Sequence, residues 1–335
     1  MIARSVKSAT SHSWAVRCLV VALCLLAFAD GWAETVPMIT PLPQKTDADP
    51  QKARLGELLF NDPRLSRDDR LACATCHQLE QGGDDNLPRS LTNNGDDDVI
   101  NAPTVFNAVF NFRQTWAGKY RTLEAQAESA IRNPRHGNTD WPVLLPKLKK
   151  IPAYLTAFDA VYPERGIQRD TVLDAIAVFE RTLITPNAPF DLYLTGDAAA
   201  IGIEAKKGFA LFKIRGCTSC HQGRNVGGSM FQKIGIYGNY LAGRTIDKAD
   251  RGRIETTGKD ADRHVFRVPS LRNVAVTAPY FHDGAVETLE EAVHLMGQLQ
   301  LGTNLPQEEV ALIIAFLRTL TGKYKGESLD GSAGR

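Results

Sequence analysis

Four cysteines constrain this chain more than any other feature, because they occur in two copies of one pattern. The sequence reads CATCH at residues 73–77 and CTSCH at residues 217–221. Two thiols separated by two residues and followed by histidine are typical of c-type haem attachment, in which the thiols form thioethers to the porphyrin and the histidine binds the iron. Zinc held by four thiolates is the alternative for two CxxC pairs, but zinc does not require the histidine that follows each pair. We therefore predict two covalently bound c-type haems. They attach at Cys73, Cys76, Cys217 and Cys220, and their proximal iron ligands are His77 and His221.

An internal repeat surrounds the two cysteine pairs. LGELLF at residues 55–60 precedes the first pair, and KGFALF at residues 207–212 precedes the second. Both segments have the apolar spacing of a helix and are expected to pack on a haem. Two further helices are predicted at residues 171–183 and 306–320, where apolar residues recur every three or four positions. No sustained alternation of apolar and polar residues indicates a sheet.

These patterns predict an all-α fold of two tandem cytochrome c-type domains, each with one covalently attached haem. The predicted domains are residues 34–190 and residues 191–322. Pro306 suits the first turn of the last helix, and Gly322 suits its end. The polar segment 323–335 that follows is expected to be a flexible tail.

The first 33 residues have the composition of a secretory signal. Arg4, Lys7 and Arg17 form a positive leader, residues 18–29 are apolar, and small residues end the run near Ala33. An uncleaved membrane anchor is the alternative, although the apolar run is short for a membrane span. Because c-type haem is attached outside the cytoplasm in bacteria, a signal also agrees with the cysteine pattern. We predict export to the periplasm with cleavage near Ala33.

The charge balance argues against nucleic acid as a partner. The predicted signal holds three of the 39 basic residues and one of the 38 acidic residues, which leaves 36 against 37 in the mature chain. A nearly neutral chain without a basic run lacks the electrostatic attraction that binds phosphate backbones. No second hydrophobic span follows the leader, so no membrane role is expected after cleavage.

Five longer segments resemble the bacterial di-haem cytochrome c peroxidases and the wider superfamily that includes the methylamine-dehydrogenase-maturing enzyme MauG. They read CHQLEQGGDDNLP, NAPTVFNAVFN, GGSMFQKIG, VPSLRNVAVTAPYFHDG and LEEAVHLMGQLQLG, and the similarity covers nearly all of residues 50–322. The resemblance implies a peroxidatic haem in the N-terminal domain and an electron-transfer haem in the C-terminal domain. It also implies the reduction of hydrogen peroxide to water with electrons from a small periplasmic cytochrome c or copper protein, and a homodimer is one possible assembly.

Two other functions stay open at this point. A MauG-like oxidase would use peroxide to modify tryptophan or tyrosine of a partner protein, and a non-catalytic electron carrier would pass electrons only. The carrier is disfavoured if one haem iron is open, because carriers keep both axial positions filled. The MauG-like function is disfavoured by Met296, since MauG carries a tyrosine at the matching position.

Met296 is implied by the resemblance as the sixth ligand of the second haem. The segment TLEEAVHLMG reads as a helix with Thr288 and Glu291 spaced as a capping box and Gly297 as its end. A thioether ligand raises the potential of a haem, as an electron-receiving site requires. The alternative is a methionine that only fills the apolar core.

Two further residues match positions near the haems in this family. Trp116 matches a tryptophan that lies between the haems and offers an intermediate site for an electron, and the alternative is a large core aromatic. Gln126 matches a glutamine over the reacting haem, and the alternative is a solvated glutamine on a helix.

Asn101, Thr277 and Pro279 match the calcium site of the family, where oxygen ligands including backbone carbonyls are expected. The resemblance therefore implies one Ca²⁺ in addition to the two haems.

Asn93 is the first departure from the family pattern. In many members a histidine sixteen residues after the proximal histidine blocks the iron of the first haem until the other haem is reduced. Counting sixteen residues from His77 gives Asn93, and an asparagine side chain is a poor iron ligand. We therefore expect this iron to be open, or bound to water, in the resting enzyme.

His136 is the second departure, in the segment RNPRHGNTD. Family members usually carry a glutamate ten residues after the glutamine that matches Gln126, where it serves as distal acid and base, but here that count gives His136. Imidazole can exchange protons near neutral pH, so we predict that His136 replaces the glutamate. A solvated loop histidine and a direct iron ligand are the two alternatives.

Overall fold

Helices account for most of the regular structure in the part of the chain that the computed structural model describes, residues 1–2, 38–96, 98 and 100–331. The α-helices are α1 (Pro50–Phe60), α2 (Cys73–Cys76), α3 (Leu123–Arg132), α4 (Trp141–Leu148), α5 (Pro152–Val161), α6 (Arg169–Thr182), α7 (Pro189–Leu194), α8 (Ile203–Ile214), α9 (Ile254–Thr257), α10 (Leu289–Leu301) and α11 (Gln307–Arg318). Two small antiparallel sheets pair β1 (Phe231–Lys233) with β2 (Val265–Arg267) and β3 (Lys323–Tyr324) with β4 (Glu327–Ser328). The prediction of a helix-rich fold is confirmed, whereas the two sheets were not predicted.

The predicted signal lies outside the described residues from position 3 to its end. Within the described ranges, no helix has both the length and the apolarity to cross a bilayer. The segment that begins at Met38 packs on the second half of the molecule, where Ile39 is buried in a core with Val226 and Phe316. The predicted domain boundary placed this segment in the N-terminal domain, but its side-chain contacts are with the C-terminal core.

The internal repeat seen in the sequence corresponds to two helix pairs that cross in the same way. Helix α1 packs on α6, and helix α8 packs on α11. A Cβ atom on Gly56 of α1 would overlap the backbone carbonyl of Ala175, and a Cβ atom on Gly208 of α8 would overlap the carbonyl of Leu312. Glycine therefore allows the close approach of the two backbones in both copies of the repeat.

A second repeat, which was not predicted, joins the two halves at their centre. Asn107 and Asn273 both have positive φ, 60° and 63°, and each precedes a short 3₁₀ turn. Their side-chain amides donate to the same hydroxyl oxygen of Thr185, at 2.8 and 3.1 Å. Their backbone N–H groups bond to the equivalent carbonyls of Leu183 and Leu320. All these groups are buried, so the shared network satisfies polar atoms that would otherwise be costly to bury.

The same repeat continues into a loop and a helix in each half. The loop that contains Trp116 is closed by a bridge between Gln114 and Tyr120, and the loop that contains His282 is closed by a bridge between Tyr280 and Val286. Each loop leads to a threonine whose hydroxyl accepts a backbone N–H of the following helix. These N-caps are Thr122 for α3 and Thr288 for α10. The chain therefore builds one loop–helix unit twice.

Helix ends follow the local sequence with two differences from the predictions. Helix α11 begins after Pro306, but it ends at Arg318 with Thr319 as its cap, so Gly322 is not its stop. Helix α10 does not end at Gly297, because that glycine packs under Leu305 inside the helix. It ends instead at Gly302, whose φ of 66° allows the left-handed conformation that closes a helix.

Two main apolar cores occupy the two halves of the molecule. The first is built from α1 and α3–α6 and includes Leu59, Leu144 and Phe158. The second is built around α8 and α11 and includes Phe212 and Phe316. Cys217 packs on the second core, whereas Cys73 packs on a smaller cluster that includes Phe60, Phe106 and Phe179.

Residues 323–328 form a hairpin, whereas the sequence predicted a flexible tail from residue 323. The backbone N–H of Lys323 donates to the carbonyl of Pro186 at 3.0 Å, and the ring of Tyr324 packs on Phe106. The Nζ atom of Lys325 lies 2.9 Å from a carboxylate oxygen of Glu57. These contacts with earlier parts of the chain hold a polar segment that has no apolar periodicity of its own. Residues 332–335 lie outside the described residues.

Candidate functional site

The first cysteine pair lies on the short helix α2, which places His77 at its C-terminal end. The Nδ1 atom of His77 lies 3.2 Å from the carbonyl oxygen of Gly83, which is the usual way to orient an imidazole whose other nitrogen binds a metal. Burial lowers the pKa of His77, so the neutral form that a ligand requires is favoured. Cys73 and Cys76 form no disulfide. Two thiols and one free imidazole nitrogen are thus available together, as covalent haem attachment requires.

The second cysteine pair repeats this geometry. The Nδ1 atom of His221 lies 3.3 Å from the carbonyl oxygen of Val226, which leaves Nε2 for iron. Burial lowers the pKa of His221 to about 4. Cys217 and Cys220 also have free thiols. The residues present therefore fit a c-type haem at each pair.

Met296 and His221 line one cavity beside the second cysteine pair. The cavity wall is mostly apolar and includes Phe212, Val293 and Leu317. Met296 lies near the middle of α10, whose N-terminus is capped by the Thr288 hydroxyl as predicted. An imidazole and a thioether beside an apolar cavity are the donor set of a haem with His and Met ligands.

Trp116 lies on the wall of the same cavity. Its indole Nε1–H donates to the backbone carbonyl of Asn101 at 2.9 Å, and its ring meets that of His282 edge to face at 6.4 Å. The tryptophan therefore connects the second haem cavity to a segment of the first half. Trp116 is not part of either main apolar core, and its role in electron transfer stays a prediction.

The three residues predicted for calcium also line this cavity, at the contact between the two halves. The backbone N–H of Asn101 donates to the carbonyl of His282 at 2.8 Å. The side-chain amide of Asn101 donates to the carbonyl of Leu87 at 3.0 Å, which leaves its Oδ1 atom as an acceptor. Thr277 and Pro279 approach from the second half. The structure thus places the three predicted calcium residues on the wall of one cavity, and the ion itself stays a prediction.

Asp84 lies at the same place, and sequence analysis missed it. Its side chain is 2% exposed, and its Oδ1 atom has no hydrogen-bond partner among the described residues. Burial raises the pKa of Asp84 to about 8. The only signal in the sequence is the acidic pair in CHQLEQGGDD, which resembles a solvated loop. The burial comes from packing against residues 276–280, which are distant in the sequence.

Asn93 holds the loop that carries His136. Its side-chain amide donates to the carbonyl of Pro134 at 2.9 Å, and its backbone N–H donates to the carbonyl of Arg135 at 2.9 Å. The side-chain oxygen Oδ1 of Asn93 is buried and has no hydrogen-bond partner among the described residues. That Asn93 leaves the iron open stays a prediction, which rests on the weakness of an amide as an iron ligand. Asn93 connects residues 90–98 to the NPRHG segment.

His136 has a hydrogen-bond partner at each ring nitrogen. Its Nε2 atom lies 2.6 Å from Oδ2 of Asp98, and its Nδ1 atom lies 3.1 Å from the amide nitrogen of Asn133. The side-chain oxygen Oδ1 of Asn133 accepts the backbone N–H of Arg135 at 3.0 Å, which fixes the orientation of the Asn133 amide. Nδ1 therefore accepts from Asn133, and Nε2–H donates to Asp98. Direct iron binding by His136 would break one of these bonds.

The His136 loop belongs to the surroundings of the first cysteine pair. Burial is the main cause of the lowered pKa of His77, and the neighbouring His136 side chain adds a smaller lowering, so the two imidazoles are close enough to interact. The carboxylate of Asp98 is nearly buried and also accepts Arg135 Nε at 3.1 Å. Gln126 lies on α3, the helix that ends at the start of this loop, and is half-buried. His136 is therefore held on a structured loop.

Glu180 is a second buried acid that sequence analysis missed. It lies on α6 beside Cys73, and its Oε2 atom has no hydrogen-bond partner among the described residues. Burial raises the pKa of Glu180 to about 8. In the sequence it looks like an ordinary polar residue within the apolar helix TVLDAIAVFERTL.

Comparison with known proteins agrees with the two motifs. Residues 50–199 match the family model described as di-haem cytochrome c peroxidase. The chain is 46% identical over 287 residues to cytochrome c peroxidase Ccp of Escherichia coli K12, covering 85% of this chain and 61% of that protein. It is 42% identical over 284 residues to cytochrome c551 peroxidase of Nitrosomonas europaea, covering 85% of this chain and 84% of that protein. The methylamine utilization protein MauG of Methylorubrum extorquens is 37% identical over 256 residues, covering 76% of this chain and 70% of that protein.

The fold agrees as well. A crystal structure of a MauG-like protein associated with microbial copper homeostasis superposes with a TM-score of 0.73 at 28% identity, covering 87% of this chain and 95% of that one. The chain belongs to the di-haem cytochrome c peroxidase family. The resemblance inferred from the sequence is therefore confirmed, and membership implies two c-type haems. The chain spans about three-fifths of the length of the E. coli relative, 61%.

Proposed function

We propose that this chain is a periplasmic di-haem peroxidase that reduces hydrogen peroxide to water with electrons from a small cytochrome c or copper protein. The supporting observation is the asymmetry between the two cysteine pairs. Met296 and His221 line one cavity, whereas at the first pair the Asn93 amide is held by the His136 loop. When bound, the haems supply the iron that reacts with peroxide and the path by which electrons reach it.

Met296 and Trp116 direct electrons toward the first half. A haem held by His221 and the Met296 thioether would have a raised potential, and this site would then be the electron entry point. Trp116 lies on the wall of this cavity and bonds to Asn101 of the first half. A calcium ion held by Asn101, Thr277 and Pro279 would fix the contact between the halves across which electrons pass.

His136 handles the protons in this proposal. Peroxide reduction needs a group that takes a proton from one oxygen and returns it to the leaving oxygen. Nδ1 of His136 can receive a proton when the substrate replaces the Asn133 amide, while Nε2–H stays bonded to Asp98. Asp98 then keeps the ring in one orientation and stabilises its charged form, as a carboxylate does for histidine in other enzymes.

The direct test is peroxide turnover by the full-length, haem-loaded protein with a reduced small cytochrome c, started from fully oxidised enzyme. We expect turnover without a lag, because Asn93 cannot block the first haem. A requirement for prior reduction would contradict the role assigned to Asn93. Matched measurements on Asn93→His should show the lag that the wild-type protein lacks.

A MauG-like oxidase is the second candidate, and the similarity to MauG favours it. In that case peroxide would be consumed slowly with the cytochrome, and a partner protein would gain modified tryptophan or tyrosine. Mass spectrometry of an added partner after peroxide treatment distinguishes this outcome from electron-driven turnover. Absence of both reactions would leave a non-catalytic electron carrier.

A further inference from the structure

We propose that Asp84 is a carboxylate ligand of the divalent cation, Ca²⁺, at the contact between the two halves. This inference rests on the calcium site of the proposed function, which named Asn101, Thr277 and Pro279. Asp84 adds a charged oxygen from this chain to a set that otherwise offers an amide and backbone carbonyls. Hard cations such as Ca²⁺ prefer oxygen ligands of both kinds.

The first argument is the state of the carboxylate. Asp84 is 2% exposed, and its Oδ1 atom has no hydrogen-bond partner among the described residues. A buried carboxylate is costly unless it is neutralised, paired with a cation or bound to a metal. Two other buried acids have a basic partner: Asp191 lies 2.7 Å from Arg272, and Asp283 pairs with Arg244. Glu180 lacks one, but it lies on α6 away from the segment that carries Thr277 and Pro279. No basic side chain among the described residues forms an ion pair with Asp84, and the oxygen atoms around it make a metal ion the partner that fits.

The second argument is location. The point where a Cβ atom on Gly82 would stand lies 3.3 Å from Oδ1 of Asp84 and 3.2 Å from Cγ2 of Thr277. Asp84, Asn101, Thr277 and Pro279 all line one cavity. The unpaired oxygen is therefore beside the segment that supplies the other predicted ligands.

The third argument is that the backbone on both sides is held in place. The Asn86 amide donates to the carbonyls of Val276 and Ala278, at 3.3 and 3.1 Å. The backbone carbonyl of Asp84 accepts the N–H of Gln78 at 2.9 Å. The loop that carries Asp84 is thus fastened to the segment that carries Thr277 and Pro279. Such a preformed site costs little ordering when the ion binds.

The test is calcium binding by the haem-loaded protein after treatment with a chelator, measured by calorimetry with CaCl₂. Asp84→Asn keeps the shape but removes the charge, and we expect its affinity for Ca²⁺ to fall at least tenfold, because charge count sets calcium affinity. Asp85→Asn is the matched control. Its carboxylate already accepts the backbone N–H of Leu87 at 3.1 Å, so the affinity should change less than threefold. Asn101→Ala tests the site itself.

A thermal-shift measurement supplies a second readout. Without calcium, Asp84→Asn should melt at a higher temperature than the wild-type protein, because it removes a buried carboxyl group whose Oδ1 has no partner among the described residues. With saturating calcium the difference should shrink or reverse, since only the wild-type protein gains the full binding energy. A purely structural role of Asp84 would make the variant less stable under both conditions.

The outcomes separate the two proposals. If Asn101→Ala weakens calcium binding and Asp84→Asn does not, the calcium site stands and the role of Asp84 is wrong. If the wild-type protein binds no calcium, both are wrong. The inference is supported if Asp84→Asn binds calcium more weakly, melts at a higher temperature than the wild-type protein without calcium, and loses that advantage with saturating calcium.

Discussion

The pairing of His136 with Asp98 gives the sharpest test of the proton chemistry. Removing the imidazole in His136→Ala should lower kcat/KM for peroxide by about a hundred- to ten-thousand-fold, the usual contribution of a positioned acid–base group. Asp98→Asn keeps the imidazole but changes the carboxylate that accepts His136 Nε2–H at 2.6 Å and Arg135 Nε at 3.1 Å. An amide has one accepting oxygen, so one of these bonds is lost.

The size of the Asp98 effect follows from that bond. A hydrogen bond to a charged group contributes about 1.5–3 kcal/mol, which corresponds to roughly a 10- to 150-fold change in rate if it is made in the transition state. Asp98→Asn should therefore fall between the wild-type protein and His136→Ala. The proposal places the effect of Asp98 on proton transfer in its bond to His136, so the double variant should be no slower than His136→Ala alone.

The assay is steady-state peroxide reduction with saturating reduced cytochrome c, with the haem absorption spectrum as a check on cofactor content. Asp96→Asn, an exposed acid in the same loop, is the control and should keep the wild-type rate. His136→Glu should recover part of the activity and move the acid limb of the pH profile to lower pH, since carboxyl groups titrate below imidazoles. If His136→Ala retains its rate within a few-fold, or if the two single effects multiply, the assignment is refuted.

Three further predictions address the other parts of the site. Met296→His should lower the potential of the second haem and slow electron entry while both haems stay attached, and an unchanged potential in a redox titration would show that Met296 only fills the core. The fully oxidised protein should show a high-spin ferric signal and bind cyanide without prior reduction, whereas two low-spin haems in its spectrum would contradict the role of Asn93. Because the pKa of Glu180 is raised from 4.5 to about 8, its carboxyl must take up a proton on folding at neutral pH, so Glu180→Gln should stabilise the protein by up to about 3 kcal/mol at pH 7. That gain should disappear below pH 4.5 and grow between pH 4.5 and 8, and a pH-independent change in melting temperature would rule the mechanism out.

The haem motifs and the principal helices could be predicted because their signals are local. The spacing of CATCH and CTSCH depends on the chemistry of one short turn, and the periodicity of α1, α6, α8 and α11 depends on residues three and four apart. The cap of α10 at Thr288 is equally local. The residues that cause each of these elements to form are close together in the sequence, so the sequence alone predicts them.

The features that were missed depend on contacts between distant segments. Asp84 and Glu180 look like solvated acids until residues from other segments cover them. The hairpin after Gly322 is ordered by contacts with Pro186, Phe106 and Glu57, not by its own pattern. Local patterns cannot show these contacts, since burial is a property of the packed molecule.

The repeated loop–helix unit explains how one architecture gives two different haem surroundings. Met296 is eight residues after the cap Thr288, and the residue eight positions after the equivalent cap Thr122 is Ala130. An alanine methyl group cannot bind iron, so the unit that offers a thioether in the second half offers none in the first. Helix α3 is also shorter than α10, ten residues against thirteen. It ends at Arg132 because Asn133-Pro134 turns the chain into the loop that carries His136. In the proposed function, Ala130 stands where the second half has the electron-transfer ligand Met296, and this leaves space for substrate. The earlier end of α3 brings in the loop with His136, the group that moves protons.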